Sequence, residues 1–166
     1  MVEIGSEKII CGCIYRPGSS NNMENLAMIR SIKQVSSFYL KNKCSGILLC
    51  GDFNYASISW FENYYLLQNE NDLHAKDFIR CLNDTFLYQN IVNPTFKIKT
   101  GCESNVLDLI ITECENRIFL VKHLPPLGGI EHGHNVITFN YSFLNSHKGK
   151  HITKKKYYTI REITRN

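Results

Sequence analysis

The chain is 166 residues long, 43% apolar and 20% charged, with 19 Lys and Arg against 15 Asp and Glu, a formal charge of +4. That length fits one domain with its own core, and that apolar share excludes wholesale disorder. The charge is uneven: residues 147–166 hold five Lys and two Arg against one Glu, so the rest is slightly acidic and offers no broad basic surface.

In chain order, residues 1–10 carry Glu3 and Glu7 and lack the apolar centre of a signal peptide. Residues 8–15 (KIICGCIY) read as a buried strand, ended by Arg16-Pro17-Gly18. Ser19, Ser20, Asn21 and Asn22 offer N-caps for a helix to about Asn42, with Leu26, Ile29, Ile32, Val35 and Tyr39 as its core-facing stripe. Residues 46–53 (GILLCGDF) form a second buried strand running into a polar turn. Asn71 or Asp72 caps a second helix with Ala75, Phe78, Ile79, Leu82 and Phe86 on one side. After a loop with Pro94, residues 106–112 (VLDLIIT) are a third buried strand, 117–122 a fourth and 135–141 a fifth, with a turn-rich LPPLGG between the last two. Strands apolar on both faces alternating with helices predict an α/β (α+β) domain over residues 1–144, followed by a basic tail or linker, 145–166. The longest apolar runs are far too short to cross a bilayer, so no membrane association is expected. Seven cysteines, an odd count set inside apolar runs, read as reduced core thiols of an intracellular protein, nuclear and cytoplasmic residence not being separated. Cys11 and Cys13, two apart on one strand face, cannot wrap a metal alone.

Three features carry chemistry. Gly51-Asp52-Phe53-Asn54 closes an apolar strand. If the strand continues, Asp52 and Asn54 share a side, pairing a proton acceptor with an amide donor suited to an anionic substrate; an Asx-turn is the plainer alternative. Asp108 is a charge inside an apolar strand, costly unless it meets a salt-bridge partner or belongs to a site. Glu131-His132-Gly133-His134 precedes the last strand, where loop histidines are more often bystanders. Acid, amide and imidazole at strand ends suggest hydrolysis and nothing narrower.

Read together, Cys13-Ile14-Tyr15-Arg16-Pro17, Leu48-Leu49-Cys50-Gly51-Asp52-Phe53-Asn54, Ser104-Asn105-Val106-Leu107-Asp108-Leu109-Ile110, Pro126-Leu127-Gly128 and His134 before Val136-Ile137-Thr138-Phe139 resemble, in order, the endonuclease/exonuclease/phosphatase family. Within it the chain looks like the endonuclease domain of non-LTR retrotransposons over residues 8–143, with the basic tail resembling the linker toward a reverse transcriptase. The resemblance implies a two-sheet sandwich flanked by helices, deoxyribonuclease-like and truncated at its N-terminus, that hydrolyses phosphodiesters with Mg²⁺ (or Mn²⁺). It further implies that Asp52 activates water, Asn54 holds a phosphate oxygen, Tyr15 contacts that phosphate or helps the leaving group, and Asp108 orients His134, which stabilises the transition state. Arg16, Lys154, Lys155 and Lys156 are the expected contacts to DNA. The family writes Ser-Asp-His where this chain has Ile130-Glu131-His132-Gly133-His134; register from the last strand favours His134, with His132 the second option and Glu131 the candidate metal ligand. The segment that carries the family's metal-binding glutamate is absent before Tyr15, since Glu3 and Glu7 stand too close to it. A truncated, inactive remnant that binds nucleic acid weakly through its tail is therefore the rival expectation, and an edge and apolar surface left uncovered is its structural corollary. A phosphatase or sphingomyelinase-like relative shares the catalytic core, but the YRP and LPPLG phrases point to the retrotransposon branch.

Overall fold

A β-α-β unit sets the frame. In the computed structural model, which describes residues 1–4, 6–62, 64–98, 105–127 and 132–143, a short strand β1 (Val2–Ile4) pairs antiparallel with β2 (Glu7–Tyr15). Helix α1 (Asn22–Lys41) then carries the chain back so that β3 (Gly46–Asp52) lies parallel to β2. Of the residues singled out above, Cys102, Ser104, Gly128, Ile130, Glu131, Lys154, Lys155 and Lys156 lie outside the described ones. A capping box starts α1: Glu24 N donates to Asn21 Oδ1 and Asn21 N to Glu24 Oε2, each at 3.0 Å.

After β3 come a hairpin, β4 (Ile58–Trp60) and β5 (Tyr65–Leu67), and helix α2 (Leu73–Thr85), capped by Asp72. Two-residue strands β6 (Tyr88–Gln89) and β7 (Phe96–Lys97) precede β8 (Asp108–Thr112). A 3₁₀ turn (Glu115–Arg117) leads to β9 (Ile118–Leu124), followed by β10 (Gly133–His134) and β11 (Val136–Tyr141). The main sheet has the order β1-β2-β3-β8-β6, and β9 pairs with β11 as a separate ribbon.

Strand alternation assigns the two faces of the main sheet. Ile47, Leu49, Leu109 and Ile111 join Ile29, Ile32, Phe78 and Leu82 of the helices in one buried cluster. The other face carries Glu7, Ile9, Cys11, Cys13 and Tyr15 of β2 in succession. Glu7 is paired there with Arg117, which leads into β9, so the β9–β11 ribbon lies on this side and lays Ile118, Val121, Ile137 and Phe139 on the core. The fold is thus the expected mixed α/β one, with a five-stranded sheet, three two-stranded ribbons and two helices among the described residues.

Several boundaries differ from expectation. β3 stops at Asp52, β8 begins at Asp108, and Arg117 closes a 3₁₀ turn instead of opening the fourth strand. Phe86 is not on the α2 stripe: it is the left-handed C-cap (φ 54°), exposed, and Leu87 turns inward instead. The cysteines are not all core. Cys81 is buried, but Cys11 and Cys13 are exposed, because the two-stranded ribbon covers Glu7 and Ile9 and no described element covers the rest of β2. No helix among the described residues is long and apolar enough to cross a membrane.

Candidate active site

Three neighbouring strands bring candidate side chains to one end of the sheet. Tyr15 closes β2, Asp52 closes β3 and Asp108 opens the antiparallel β8; the ladders set Tyr15 opposite Asp52 and Asp52 opposite Asp108. Register partners share a face, so phenol and two carboxylates form one row. Gly51 makes the approach possible: its φ is +146°, and a β-carbon there would collide with the Ile14 carbonyl of the adjacent strand.

Beyond Asp52 the chain leaves the strand. Phe53 and Tyr55 turn into the core, and Phe53 N and Asn54 N both donate to Leu107 O, at 2.9 and 3.3 Å. Asn54 takes a left-handed conformation (φ 52°), so it does not share a strand side with Asp52. Its amide lies beside Gly18, where a β-carbon would come within 3.4 Å of Asn54 Nδ2.

The imidazole arrives from another element. β10 pairs with β7, setting His134 opposite Phe96, whose ring meets the imidazole edge-on at 5.0 Å. His134 Nδ1 lies 2.8 Å from Asp108 Oδ2, and His134 Nε2 lies 3.8 Å from Asp52 Oδ2. An ionised carboxylate only accepts, so an Nδ1–H donates to Asp108 and Nε2 faces the Asp52 side. Asp52 is the electrostatic centre of the group. Burial raises its pKa above the ordinary carboxylate value, and the Asp108 charge adds to this; His134, the Asn54 backbone N–H and Arg16 pull it part of the way back. Its Oδ1 is buried and accepts no hydrogen bond from the described residues.

The histidine box resolves geometrically toward one member: His134 meets both carboxylates, whereas His132 is exposed and no hydrogen bond among the described residues ties it to them. Tyr15 is 73% exposed, its ring available at the rim. Arg16, expected at a nucleic-acid surface, is only 7% exposed and turned inward.

Thr95 is the residue that pattern reading missed. Fully buried, its Oγ1 accepts from Leu107 N and Asp108 N, each at 2.9 Å, while its carbonyl accepts from Asn135 N at 2.7 Å. One residue, through its hydroxyl and its carbonyl, thereby joins the start of β8 to the residue after His134. A hydroxyl in a loop has no periodicity to reveal it; its position after Pro94 was the only available signal.

Among the described residues no group of three or more His, Cys, Asp or Glu converges on a metal-sized site. Mg²⁺ usually takes only one or two protein carboxylates and completes its shell with water and substrate oxygens. The cross-strand Asp52–Asp108 pair, with its unsatisfied Oδ1, is a donor set of that kind.

The sequence pattern of the endonuclease-reverse transcriptase family matches residues 9–132, ending two residues before His134. Among solved structures the chain is similar to the endonuclease domain of TRAS1, a telomere-specific non-LTR retrotransposon. The two are 16% identical with a TM-score of 0.47, over 76% of this chain and 54% of that one. The chain therefore spans about half the length of that structure. No curated protein sequence matches. The family match runs through the strands that bear Tyr15, Asp52 and Asp108 and covers well over half of the sequence: the chain belongs to the endonuclease-reverse transcriptase family.

Proposed function

We propose that the chain is a divalent-metal-dependent endonuclease domain that hydrolyses one strand of DNA at a phosphodiester. The observation that carries this reading is the hydrogen-bonded Asp108–His134 pair whose other imidazole nitrogen faces Asp52. Asp52 takes the proton from the attacking water; its raised proton affinity brings it closer to the working pH of a general base. Asp108 fixes the tautomer and orientation of His134 and supports the imidazolium that counters charge building on the phosphorus-bound oxygens. Tyr15, exposed at the end of the row, contacts the phosphate or the leaving oxygen, and the Asn54 amide donates to a non-bridging oxygen. A Mg²⁺ or Mn²⁺ ion would be held by carboxylate oxygens of Asp52 and Asp108 and would supply Lewis-acid polarisation of the phosphate.

Nicking of supercoiled plasmid tests this. Purified protein relaxes the plasmid in Mg²⁺, EDTA abolishes the activity, and Asp52→Ala lowers the rate on the order of 10²- to 10⁴-fold, as removal of a general base does. The rival reading is a non-catalytic chain with weak binding through its basic tail. A folded wild-type chain that leaves the plasmid supercoiled, yet retards it only at low salt, selects that reading instead.

A further inference from the structure

The arginine of the Tyr15-Arg16-Pro17 step carries a full charge yet is nearly buried, and its contacts converge on the Asp52–Asn54 turn. We propose that Arg16 is a positioning residue that holds this turn in the conformation the site needs, acting through Asn54 instead of contacting DNA. The inference rests on the hydrolytic reading above and assigns one residue's part in it.

The geometry supports this in three ways. First, one residue grips both ends of the turn: Arg16 N donates to Asp52 O at 2.8 Å, and Arg16 Nη1 donates to Asn54 O at 3.0 Å. Second, the turn has to be held. Asn54 sits at φ 52°, a left-handed conformation that costs a non-glycine residue about 1 kcal/mol even though Asn tolerates it better than most. Third, the same guanidinium clamps the next residue. It lies 4.2 Å over the Tyr55 ring, whose other contact is Phe78, stacked at 4.4 Å and 14°. Tyr55 Oη donates to the buried Asn25 Oδ1 of α1 at 2.5 Å, so the stack is anchored in the helix layer. Of the other two guanidinium nitrogens, Nη2 approaches His74 Nδ1 at 3.5 Å and Nε is buried with no hydrogen-bond partner among the described residues. A lysine could not reproduce this, because the hold needs a planar group that stacks and donates in two directions.

The experiment measures single-turnover nicking and DNA affinity for the full chain as wild type, Arg16→Ala, Asn54→Ala and the double variant. Arg16→Lys, which keeps the buried charge, serves if the alanine variant does not fold. Loss of a positioning contact lowers the saturated rate on the order of 10- to 100-fold at unchanged Kd. In the double variant Arg16→Ala then adds nothing to Asn54→Ala, since the residue acts through its partner. A weakened Kd with an unchanged saturated rate makes Arg16 a DNA contact and overturns the proposal. Effects that multiply in the double variant do the same, showing a separate structural contribution. A wild type that does not nick sinks the hydrolytic reading. The NMR HN–Hα coupling of Asn54, which reports its φ, then decides by itself: altered in the Arg16 variants it upholds the grip on the turn, unaltered it refutes it.

Discussion

Asp52 sits where two costs meet, since it is largely buried and a second carboxylate faces it across the ladder. Both costs fall on the ionised form. A folded-state pKa above the ordinary 3.8 means that the native protein holds the proton to a higher pH than the unfolded chain does. Stability therefore falls as pH rises from that ordinary value through the raised one, and the penalty persists at neutral pH. Asn cannot ionise, so Asp52→Asn is predicted to raise the urea midpoint near neutral pH in EDTA, with the gain shrinking as pH falls toward 3.8. A gain that grows on acidification would show that ionised Asp52 stabilises the fold. The side chain proposed to deprotonate the attacking water is thus a liability to the fold by itself, as expected of a group whose environment serves a reaction.

At the scale of elements, α2 shows how one cap organises a neighbourhood. Asp72 accepts from Ala75 N at 3.0 Å and from Ser57 Oγ at 2.5 Å, tying the helix start to the loop before β4. Burial alone would raise the Asp72 pKa, but these hydrogen bonds together with the nearby His74 and Arg16 outweigh it, and the carboxyl titrates below its ordinary value. Asp72→Ala is predicted to cost about 0.5–2 kcal/mol in chemical denaturation. The loss is fully present above the ordinary carboxylate value and disappears as pH falls through the lowered one; a variant as stable as wild type at neutral pH contradicts the cap's role. Much at this scale was legible beforehand. Both helices announced themselves by cap residues and three-and-four spacing, and β2, β3, β8 and β11 by β-branched apolar runs. The pairing of β7 with β10 was not legible, because strands of two residues have no period, yet it is this pairing that brings His134 beside Phe96. The burial of Arg16 was not legible for a related reason: charge in a sequence reads as surface, and only the aromatic stack beneath it shows otherwise. The site's acids were legible as motifs, whereas Thr95, which holds Asp108, was not.

Across the whole molecule the two ends of the sheet do different work. At the end away from the carboxylates, Arg117 is fully buried. Its Nε donates to Glu113 at 2.6 Å and its Nη1 to Glu7 and Ser142 O, while Nη2 reaches Ser45 O. That network joins the β9–β11 ribbon to β2 and β3. The ribbon's narrowness has a chemical signature. Cys11 and Cys13 are exposed on the uncovered half of the face, Cys81 is buried among the helices, and burial pushes the Cys50 and Cys81 thiols up to about 11. An aromatic disulfide reagent is predicted to modify Cys11 and Cys13 in the native protein, and Cys81 only on unfolding; protection of Cys11 and Cys13 would mean that this face is covered in solution. The central claim, that the carboxylate row and one particular histidine form the catalytic centre, is tested most directly by nicking rates of His134→Ala and His132→Ala side by side in Mg²⁺. His134→Ala should remove nearly all activity and His132→Ala leave most of it, because only His134 bridges Asp108 and Asp52. Equal rates for the two variants, or loss confined to His132→Ala, would contradict it.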